Sequence, residues 1–338
     1  MTTKKPFLIT IDTEGDNLWG RAAGAATVRN AEYLPRFQAL CEQFGFRPTY
    51  LTNWEMARAP AFIDMARAAL ARGTAEVGCH IHAWDSPPYV DLTGNDCKHH
   101  PYLIEYPDAV LREKVQVQTA LLEDTFGVKM QSHRAGRWAM DLRYVAALLE
   151  HGYTVDCSVT PGHSWHMHKG KPDGQGGTDY RRFPRRPYYI SAHDLAAPAA
   201  SGLLEVPMTT RTSWLQRHAP AAYQLPLLRK VAHRIAPPMQ WLRPGRGNLP
   251  ALLKLIRAEA DAPYLEFMIH SSEFMPGGSP YFPGEADVDT LFADLAVLFE
   301  AIATTHAGCT MAAFAQSWAQ QAAGATVPSP VAYATSVQ

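Results

Sequence analysis

The sequence predicts an α/β protein in which parallel strands form a barrel with helices outside. Short apolar runs alternate with segments of helical periodicity along most of the 338 residues, and glycines follow several of the predicted helices. Strands separated by helices pair in parallel, because each helix returns the chain to the edge where the next strand begins. The number of strand–helix units favours a closed barrel over an open sheet.

The predicted elements follow one another in a regular order. Strands are predicted at residues 7–11, 48–52, 76–82, 128–132, 153–159 and 263–270. Helices are predicted at residues 32–44, 59–72, 107–126, 140–151, 285–304 and 310–321. Residues 160–250 interrupt the alternation with loop-rich stretches, two short strands (188–191 and 203–206) and a helical region (221–234). Because neither end of this segment has a clean linker, we expect an insertion in a single domain spanning residues 1–338.

Charge and composition exclude several classes of protein. The chain has 31 Lys and Arg against 32 Asp and Glu, a net charge of −1, which provides no basic surface for a nucleic acid. Hydrophobic residues make up 47%, enough for a large core, but no run of about 18 apolar residues predicts a membrane span. Asp12 and Glu14 interrupt the first apolar run, unlike a signal peptide, and the five cysteines form no CxxC pair. We therefore expect a cytoplasmic protein without a disulfide framework.

An acidic triplet follows the first predicted strand. Asp12, Glu14 and Asp16 alternate along an extended segment, so their carboxylates point the same way. Functional side chains in parallel α/β folds gather at the carboxyl ends of the strands. The triplet therefore indicates a functional carboxylate cluster, with a solvated turn or a helix cap as the alternative.

A His-x-His pair ends the third predicted strand. Alternation sends His80 and His82 to one face of the sheet and Cys79 to the other. Two imidazoles beside carboxylates suit zinc or a similar divalent ion, whereas Cys79 is more typical of a buried apolar position. The alternative is that both histidines are ordinary core or surface residues.

Three further strand ends carry polar residues. Arg134 follows the fourth strand, where its guanidinium either holds a carboxylate in a bidentate pair or forms a surface salt bridge. Asp156 lies in the fifth strand, and His270 ends the late apolar strand. Each of these residues is ordinary alone. Together they indicate an active site, because five strand ends carry, in order, an acid, paired histidines, an arginine, an acid and a histidine.

In this order the set resembles the polysaccharide deacetylases of the NodB-homology type, carbohydrate esterase family four. The resemblance runs from about residue 7 to about residue 320 and excludes the insertion. It implies a distorted (β/α)7 barrel and a hydrolase that depends on a divalent metal ion, with zinc expected. The implied roles are catalytic base (Asp12), support of that base (Arg134), metal ligands (Glu14, His80), catalytic acid (His270) and orientation of that acid (Asp156).

Two departures from the family pattern concern the metal ligands. An Asp-x-Glu motif replaces the usual adjacent Asp-Asp pair, and His-x-His replaces His-x-x-x-His, with Trp84 at the position of the usual second histidine. His82 is therefore assigned as the remaining metal ligand because of its proximity in sequence. Asp85 or Asp16 is the alternative ligand.

A third departure concerns the substrate. The motif after the fourth strand reads Arg-Ala-Gly-Arg-Trp rather than Arg-x-Pro-Tyr, so the substrate contacts are expected to differ from those of the family. Arg137, Trp138 and Trp84 are assigned to substrate binding. The histidine motif and this arginine motif together look most like deacetylases encoded in O-antigen and other surface-polysaccharide clusters.

The predicted function is removal of an N-acetyl group from an amino sugar in lipopolysaccharide O-antigen or other surface-polysaccharide biosynthesis. The expected substrate is nucleotide-linked, lipid-linked or an oligosaccharide. The Asp-x-Glu motif leaves open an amidohydrolase acting on a cyclic imide or ureide, and a non-catalytic carbohydrate-binding barrel is the third interpretation. A second histidine group, His163, His166 and His168, is expected to lie in a loop along the cleft, with a separate metal site as its alternative.

Overall fold

The computed structural model describes residues 4–16, 27–171, 173–223 and 238–325, together with residues 225, 228, 230 and 231. The strands are β1 Lys5–Thr13, β2 Thr49–Thr52, β3 Glu76–Ile81, β4 Ser132–Ala135, β5 Val155–Asp156, β6 Tyr188–Ile190, β7 Pro198–Ala199, β8 Leu204–Glu205, β9 Thr210–Thr212, β10 Met239–Trp241, β11 Leu265–His270 and β12 His306–Cys309. The α-helices are α1 Leu34–Gln43, α2 Pro60–Arg72, α3 Asp96–His99, α4 Asp108–Phe126, α5 Leu142–Glu150, α6 Trp214–His218, α7 Leu249–Ala258, α8 Glu285–Ala303 and α9 Met311–Ala325. Short 3-10 helices lie at Arg29–Tyr33, Met56–Arg58, Leu103–Glu105, Gly136–Trp138, Pro220–Tyr223 and Ser271–Phe274.

Seven parallel strands form the barrel wall, in the order β11-β1-β2-β3-β4-β5-β8. Irregular segments complete the wall between β8 and β11. There the Leu242 N–H donates to the Thr209 carbonyl oxygen (2.9 Å), and the Met268 N–H donates to the Leu242 carbonyl oxygen (3.2 Å). The strand β12 pairs in parallel with the amino-terminal half of β1. The predicted distorted α/β barrel of seven parallel strands is confirmed.

The segment predicted as an insertion contributes a strand to this wall. The strand β8 lies within residues 160–250 and pairs with β5, while β6 and β7 extend the sheet beyond β8 in antiparallel pairs. The strands β9 and β10 form a separate antiparallel ribbon. Residues 160–250 therefore contribute one strand to the barrel wall and also form structure outside it. Most of the helical region predicted at 221–234 lies outside the described residues.

The helices predicted outside this segment are present with small differences at their ends. Glycines in the left-handed conformation follow α2 and α4, Gly73 with φ +67° and Gly127 with φ +68°. The strand predicted at 128–132 begins only at Ser132, because residues 127–131 are mostly exposed and connect α4 to β4. The strand β12 and the helix α7 were not among the predicted elements. Across the described ranges, no helix has the length and apolar character needed to cross a membrane.

The helix α9 closes the amino-terminal end of the barrel. Apolar side chains of β1, β2, β5 and β8 pack there against Met311 and Phe314. Two backbone N–H groups at the start of α9 bind the barrel directly, Met311 to Thr49 Oγ1 (3.2 Å) and Ala312 to Glu76 Oε2 (3.0 Å). The opposite end, at the carboxyl termini of the strands, holds a cleft.

Candidate active site

The cleft has a volume of about 300 Å³ and opens at the carboxyl ends of β1, β3 and β11. Its lining combines carboxylates, imidazoles, arginines and indole rings: Asp12, Glu14, His80, His82, Trp84, Cys97, Arg137, Trp138, Trp165, Arg243 and His270. Eight of the ten residues assigned from the sequence are in this lining. Of the other two, Arg134 is bonded to Asp12 beneath the cleft, and Asp156 lies elsewhere.

Glu14, His80 and His82 bring three ligand atoms together. Glu14 Oε2 lies 3.1 Å from His82 Nε2 and 3.5 Å from His80 Nε2, and the two Nε2 atoms are 3.1 Å apart. Atoms bound at about 2.0–2.1 Å from a tetrahedral zinc ion lie about 3.3 Å from one another, so these three are spaced like ligands of one ion. Within the described ranges, no other group of three or more His, Cys, Asp or Glu side chains is arranged to share an ion.

The outer ring nitrogens determine which atom each histidine presents to the cleft. His80 Nδ1 lies 2.8 Å from the carbonyl oxygen of Arg134, so it donates a proton there and its Nε2 carries a lone pair. His82 Nδ1 lies 3.2 Å from Asp85 Oδ2, which favours the same tautomer. When both rings are neutral, two lone pairs face each other across 3.1 Å, an arrangement that a bound cation stabilises.

The charges of the site also favour a bound cation. Burial disfavours the Glu14 carboxylate, but the adjacent His82 and His80 hold its pKa well below the usual range. Burial disfavours the charged His82 imidazole as well, but the carboxylates of Asp85 and Glu14 outweigh it and raise the pKa of His82 well above its usual value. Two imidazole nitrogens and one carboxylate oxygen are a donor set that fits zinc.

The alternative ligands Asp16 and Asp85 lie outside the three-residue group. Asp16 Oδ2 accepts a hydrogen bond from the backbone N–H of Arg29 at 2.9 Å. Asp85 contacts the outer ring nitrogen of His82 and not the inner one. Asp85 therefore contacts the outer side of the His82 ring, the position that carboxylates commonly occupy behind ligating histidines.

Asp12 lies beside this group and is held by a buried arginine. Arg134 Nη1 donates to Asp12 Oδ1 (2.6 Å), and its Nη2 donates to Glu266 Oε1 and Thr10 Oγ1, both at 2.7 Å. Burial acts to raise the pKa of Asp12, but the Arg134 guanidinium and nearby histidines outweigh it and lower that pKa. The second carboxylate oxygen, Oδ2, lies 3.7 Å from His270 Nε2.

His270 faces both carboxylates of the cleft, with Nε2 3.7 Å from Asp12 Oδ2 and 3.8 Å from Glu14 Oε1. Its Nδ1 accepts a hydrogen bond from Arg243 Nη2 at 3.2 Å, and the same Nη2 donates to Glu273 Oε1 at 2.7 Å. Because a guanidinium only donates, the ring proton of His270 lies on Nε2. Burial and then the charge of Arg243 lower the pKa of His270, so the ring is neutral at neutral pH and presents Nε2–H to the cleft.

Asp156 does not contact this histidine, and the structure contradicts the orienting role assigned to it. Its Oδ1 lies 2.7 Å from His133 Nδ1, and His133 Nε2 lies 2.8 Å from the Tyr144 hydroxyl on α5. Asp156 pairs in register with His133, and paired residues of neighbouring strands face the same side of a sheet. Since Arg134, the next residue of β4, faces the lumen, Asp156 faces the outer helices.

The three residues assigned to substrate binding are all in the cleft lining. Trp84 stacks on His82, with 4.6 Å between ring centroids. Arg137 and Trp138 have φ of +55° and +66°, a left-handed conformation that non-glycine residues rarely adopt. Gly136 packs so closely against β3 that an added Cβ would overlap the His82 ring.

The segment 160–250 adds a further indole ring to the cleft. Trp165 lies with its ring parallel to that of Trp138, 6.3 Å between centroids. His163 packs against Trp165 at 4.4 Å and lies 5.9 Å from His168. With His166, these histidines do not form a metal-ligand group in the part of the chain that the structure describes.

Two residues that contact His270 were not assigned from the sequence. Arg243 follows the ribbon strand β10 and reaches His270 from an irregular segment, for which no local pattern gives a position. Glu273 lies three residues after His270 and accepts a hydrogen bond from its backbone N–H (3.3 Å). That spacing is typical of a capping box and could have identified Glu273.

Comparison with known proteins indicates the fold. No protein-family model and no curated protein sequence matches the chain. A structure from Mycobacterium smegmatis, provisionally described as a polysaccharide deacetylase, matches 100% of this chain and 96% of its own, at 15% identity and a TM-score of 0.51. One from Parabacteroides distasonis, provisionally described as a glycoside hydrolase/deacetylase, matches 94% and 72%, at 12% identity and a TM-score of 0.57. The 4-alpha-glucanotransferase of Thermococcus litoralis matches 93% and 40%, at 15% identity and a TM-score of 0.51.

These similarities are similarities of fold, at identities of 15% or less. The proteins that share the barrel are described with different activities on carbohydrates. The function of this chain must therefore be argued from its own site.

Proposed function

We propose that the protein is a metal-dependent carbohydrate N-deacetylase of the NodB-homology type. The observation that carries the proposal is the adjacency of two units in one cleft. One is the buried ligand group Glu14, His80 and His82, and the other is the ionised Asp12 bonded to Arg134. Metal-assisted amide hydrolysis needs both a site for the ion and a carboxylate beside it.

Glu14, His80 and His82 would hold the divalent ion, for which zinc is the proposed identity. Two nitrogen ligands and one oxygen ligand from the protein are typical of catalytic zinc sites, which keep positions open for water and substrate. When bound, such an ion lowers the pKa of a water molecule and polarises the acetyl carbonyl group. The contacts of the two outer ring nitrogens keep both imidazoles in the ligating orientation.

Asp12 is the proposed general base. Arg134 binds Oδ1 and lowers the pKa of the carboxyl, so Asp12 is ionised at neutral pH and Oδ2 accepts a proton from the attacking water. The water oxygen bonds to the acetyl carbon, and the protonated Asp12 then returns the proton to the amide nitrogen. The C–N bond breaks with a neutral amine as the leaving group, giving the amino sugar and acetic acid, which loses its remaining proton to solvent as acetate.

His270 is the proposed hydrogen-bond donor to the reacting amide. Its Nδ1 is occupied by a donor from Arg243, so its Nε2–H is the group directed toward the cleft. A neutral imidazole in this state stabilises negative charge that develops on the substrate by donating a hydrogen bond. This role differs from that of the catalytic acid, oriented by Asp156, that the family resemblance implies, and it does not require Asp156.

The proposed substrate is an amino sugar of O-antigen or another surface polysaccharide, and the reaction is proposed to occur in the cytoplasm. The indole rings of Trp84, Trp138 and Trp165 in the cleft lining support a sugar ligand, because flat aromatic faces pack against the apolar faces of sugar rings. The substrate sugar is nucleotide-linked, lipid-linked or part of an oligosaccharide.

Acetate release tests the proposal. The zinc-loaded protein is incubated with N-acetylated nucleotide sugars, lipid-linked sugars and oligosaccharides, and the acetate formed is measured. We expect turnover with at least one class and a loss of about 100-fold or more in Asp12→Asn. Asp16→Asn is the matched control, because this neighbouring acid lies outside the cleft, and it keeps the activity.

Two outcomes would overturn the proposal. Hydrolysis of a cyclic imide or ureide without acetate release from any N-acetyl sugar would identify an amidohydrolase of another class. If the protein neither binds zinc nor releases acetate, and Asp12→Asn binds sugar as the wild type does, the protein is a non-catalytic carbohydrate-binding barrel.

A further inference from the structure

We infer that the substrate carries an anionic oxygen group, a carboxylate or a phosphate, and that Arg137 binds it. This inference rests on the proposed function, because it concerns the sugar that occupies the same cleft. The structural basis is a half-buried guanidinium in the cleft lining that has no carboxylate partner among the described residues.

The three arginines around the cleft differ in their partners. Arg134 is bonded to Asp12 and Glu266, and Arg243 is bonded to Glu273. Arg137 contacts the face of the Tyr102 ring, 5.0 Å from its guanidinium carbon to the ring centroid, and among the described residues no carboxylate lies within ion-pair distance of it. The charges of Arg134 and Arg243 are thus balanced by carboxylates, and that of Arg137 is balanced by no carboxylate in the described part of the chain.

An unbalanced half-buried charge is unfavourable unless a ligand pairs with it. The cleft that Arg137 lines is also lined by Trp138 and Trp165, whose rings exclude water from part of it. The planar guanidinium presents parallel N–H groups that match two oxygens of a carboxylate or phosphate. A neutral sugar offers hydroxyl groups, which leave the charge of Arg137 unbalanced.

The backbone at this position indicates that the side chain is held in the cleft. Arg137 and Trp138 both adopt positive φ, which is strained for residues other than glycine. The preceding Gly136 packs against β3 so closely that no side chain fits there. Strain of this kind persists where the surrounding structure requires one orientation, and here it directs two consecutive side chains to the same cleft.

Calorimetric titration tests the inference with three probes: N-acetylglucosamine, its 1-phosphate, and the corresponding N-acetylhexosaminuronate. Each titration is carried out on the protein as purified and again after a chelator has removed bound metal. Anion binding that disappears after chelation is binding to the metal and not to Arg137. We expect one or both anionic probes to bind about tenfold or more tightly than the neutral sugar in both states. The two anionic arms distinguish a phosphate from a carboxylate.

Variants assign the preference to one residue. Arg137→Gln is expected to bind the anionic probes no more tightly than the neutral sugar, and Arg137→Lys to recover part of the preference. Arg181→Gln is the matched control, because Arg181 is an exposed arginine paired with Asp179, and it keeps the preference. Equal thermal midpoints of unfolding exclude a folding defect.

The inference is overturned if the neutral sugar binds as tightly as both anions, or if Arg137→Gln keeps the preference. The inference is also overturned if the protein releases acetate from neutral sugars and Arg137→Gln does not slow that release. The proposed deacetylase function would then still stand. If anion binding depends on Arg137 but the protein releases no acetate, the inference stands and the proposed function fails.

Discussion

Replacing Glu55 with glutamine tests the electrostatics behind the metal-ligand group. Glu55 Oε1 accepts hydrogen bonds from the backbone N–H of Gly15 (3.0 Å) and from the Asn53 amide, while Oε2 is buried without a hydrogen-bond partner in the described structure. Burial, followed by the negative charge of Asp85, raises the pKa of Glu55 to about 7. Glutamine keeps Oε1 and removes the titration.

The raised pKa determines both the sign and the size of the effect. Between about pH 4.5 and 7 the folded protein holds a proton at Glu55 that the unfolded chain has lost, so stability falls as pH rises through this window and is level above it. A rise from 4.5 to about 7, at about 1.4 kcal/mol per pH unit, corresponds to about 3 kcal/mol. Glu55→Gln is expected to match the wild type at pH 4.5 and to be about 2–3 kcal/mol more stable at pH 8.

Denaturant unfolding of the metal-free proteins from pH 4.5 to 8.5 measures this difference. Glu42→Gln is the matched control. Hydrogen bonds from Arg72 and Thr74 lower the pKa of Glu42 to about 2, so its contribution is present above pH 4.5 and is lost only as pH falls toward 2. The reasoning would be refuted if the free energies of unfolding of the wild type and Glu55→Gln changed in parallel between pH 5 and 8.

Three further substitutions have defined outcomes. In Gly136→Ala the new methyl group overlaps the His82 ring, so zinc affinity in a chelator competition falls about tenfold or more, whereas Gly94→Ala, whose Cβ meets nothing within 4 Å, keeps it. Asp85→Ala removes the partner of the outer nitrogen of His82, and the same titration is expected to give a loss of about 10–100-fold; unchanged affinity would contradict the orienting role. Arg134→Met leaves two buried carboxylates unpaired, so denaturant unfolding is expected to detect a loss of about 3–5 kcal/mol, and wild-type stability would contradict this.

Strand alternation explains which site residues could be predicted from the sequence. Asp12 and Glu14 are two residues apart, as are His80 and His82, and each pair faces the cleft. For Asp156 the sequence predicted the correct strand but not the face of the sheet. That face depends on the pairing of β5 with β4, a long-range register that a single sequence does not contain.

The fold shows the same division between local and long-range information. The main helices were predictable because their apolar periodicity and their closing glycines are local signals. The sequence also carries a local signal for α7, in apolar residues at helical spacing at 249, 252, 253 and 256. By contrast, β12 is a four-residue strand held by its pairing with β1, and Arg243 reaches the cleft after the β9–β10 ribbon. Neither has a local signal.

The zinc content of protein purified without a metal-affinity tag tests the central claim most directly. After loading with zinc and removal of excess metal, elemental analysis is expected to find one zinc ion per chain in the wild type and in His163→Ala. The same analysis is expected to find almost none in His80→Ala and in Glu14→Ala, because each removes a ligand from the three-residue group. A wild type without bound zinc, or full retention of zinc in both ligand variants, would contradict the account.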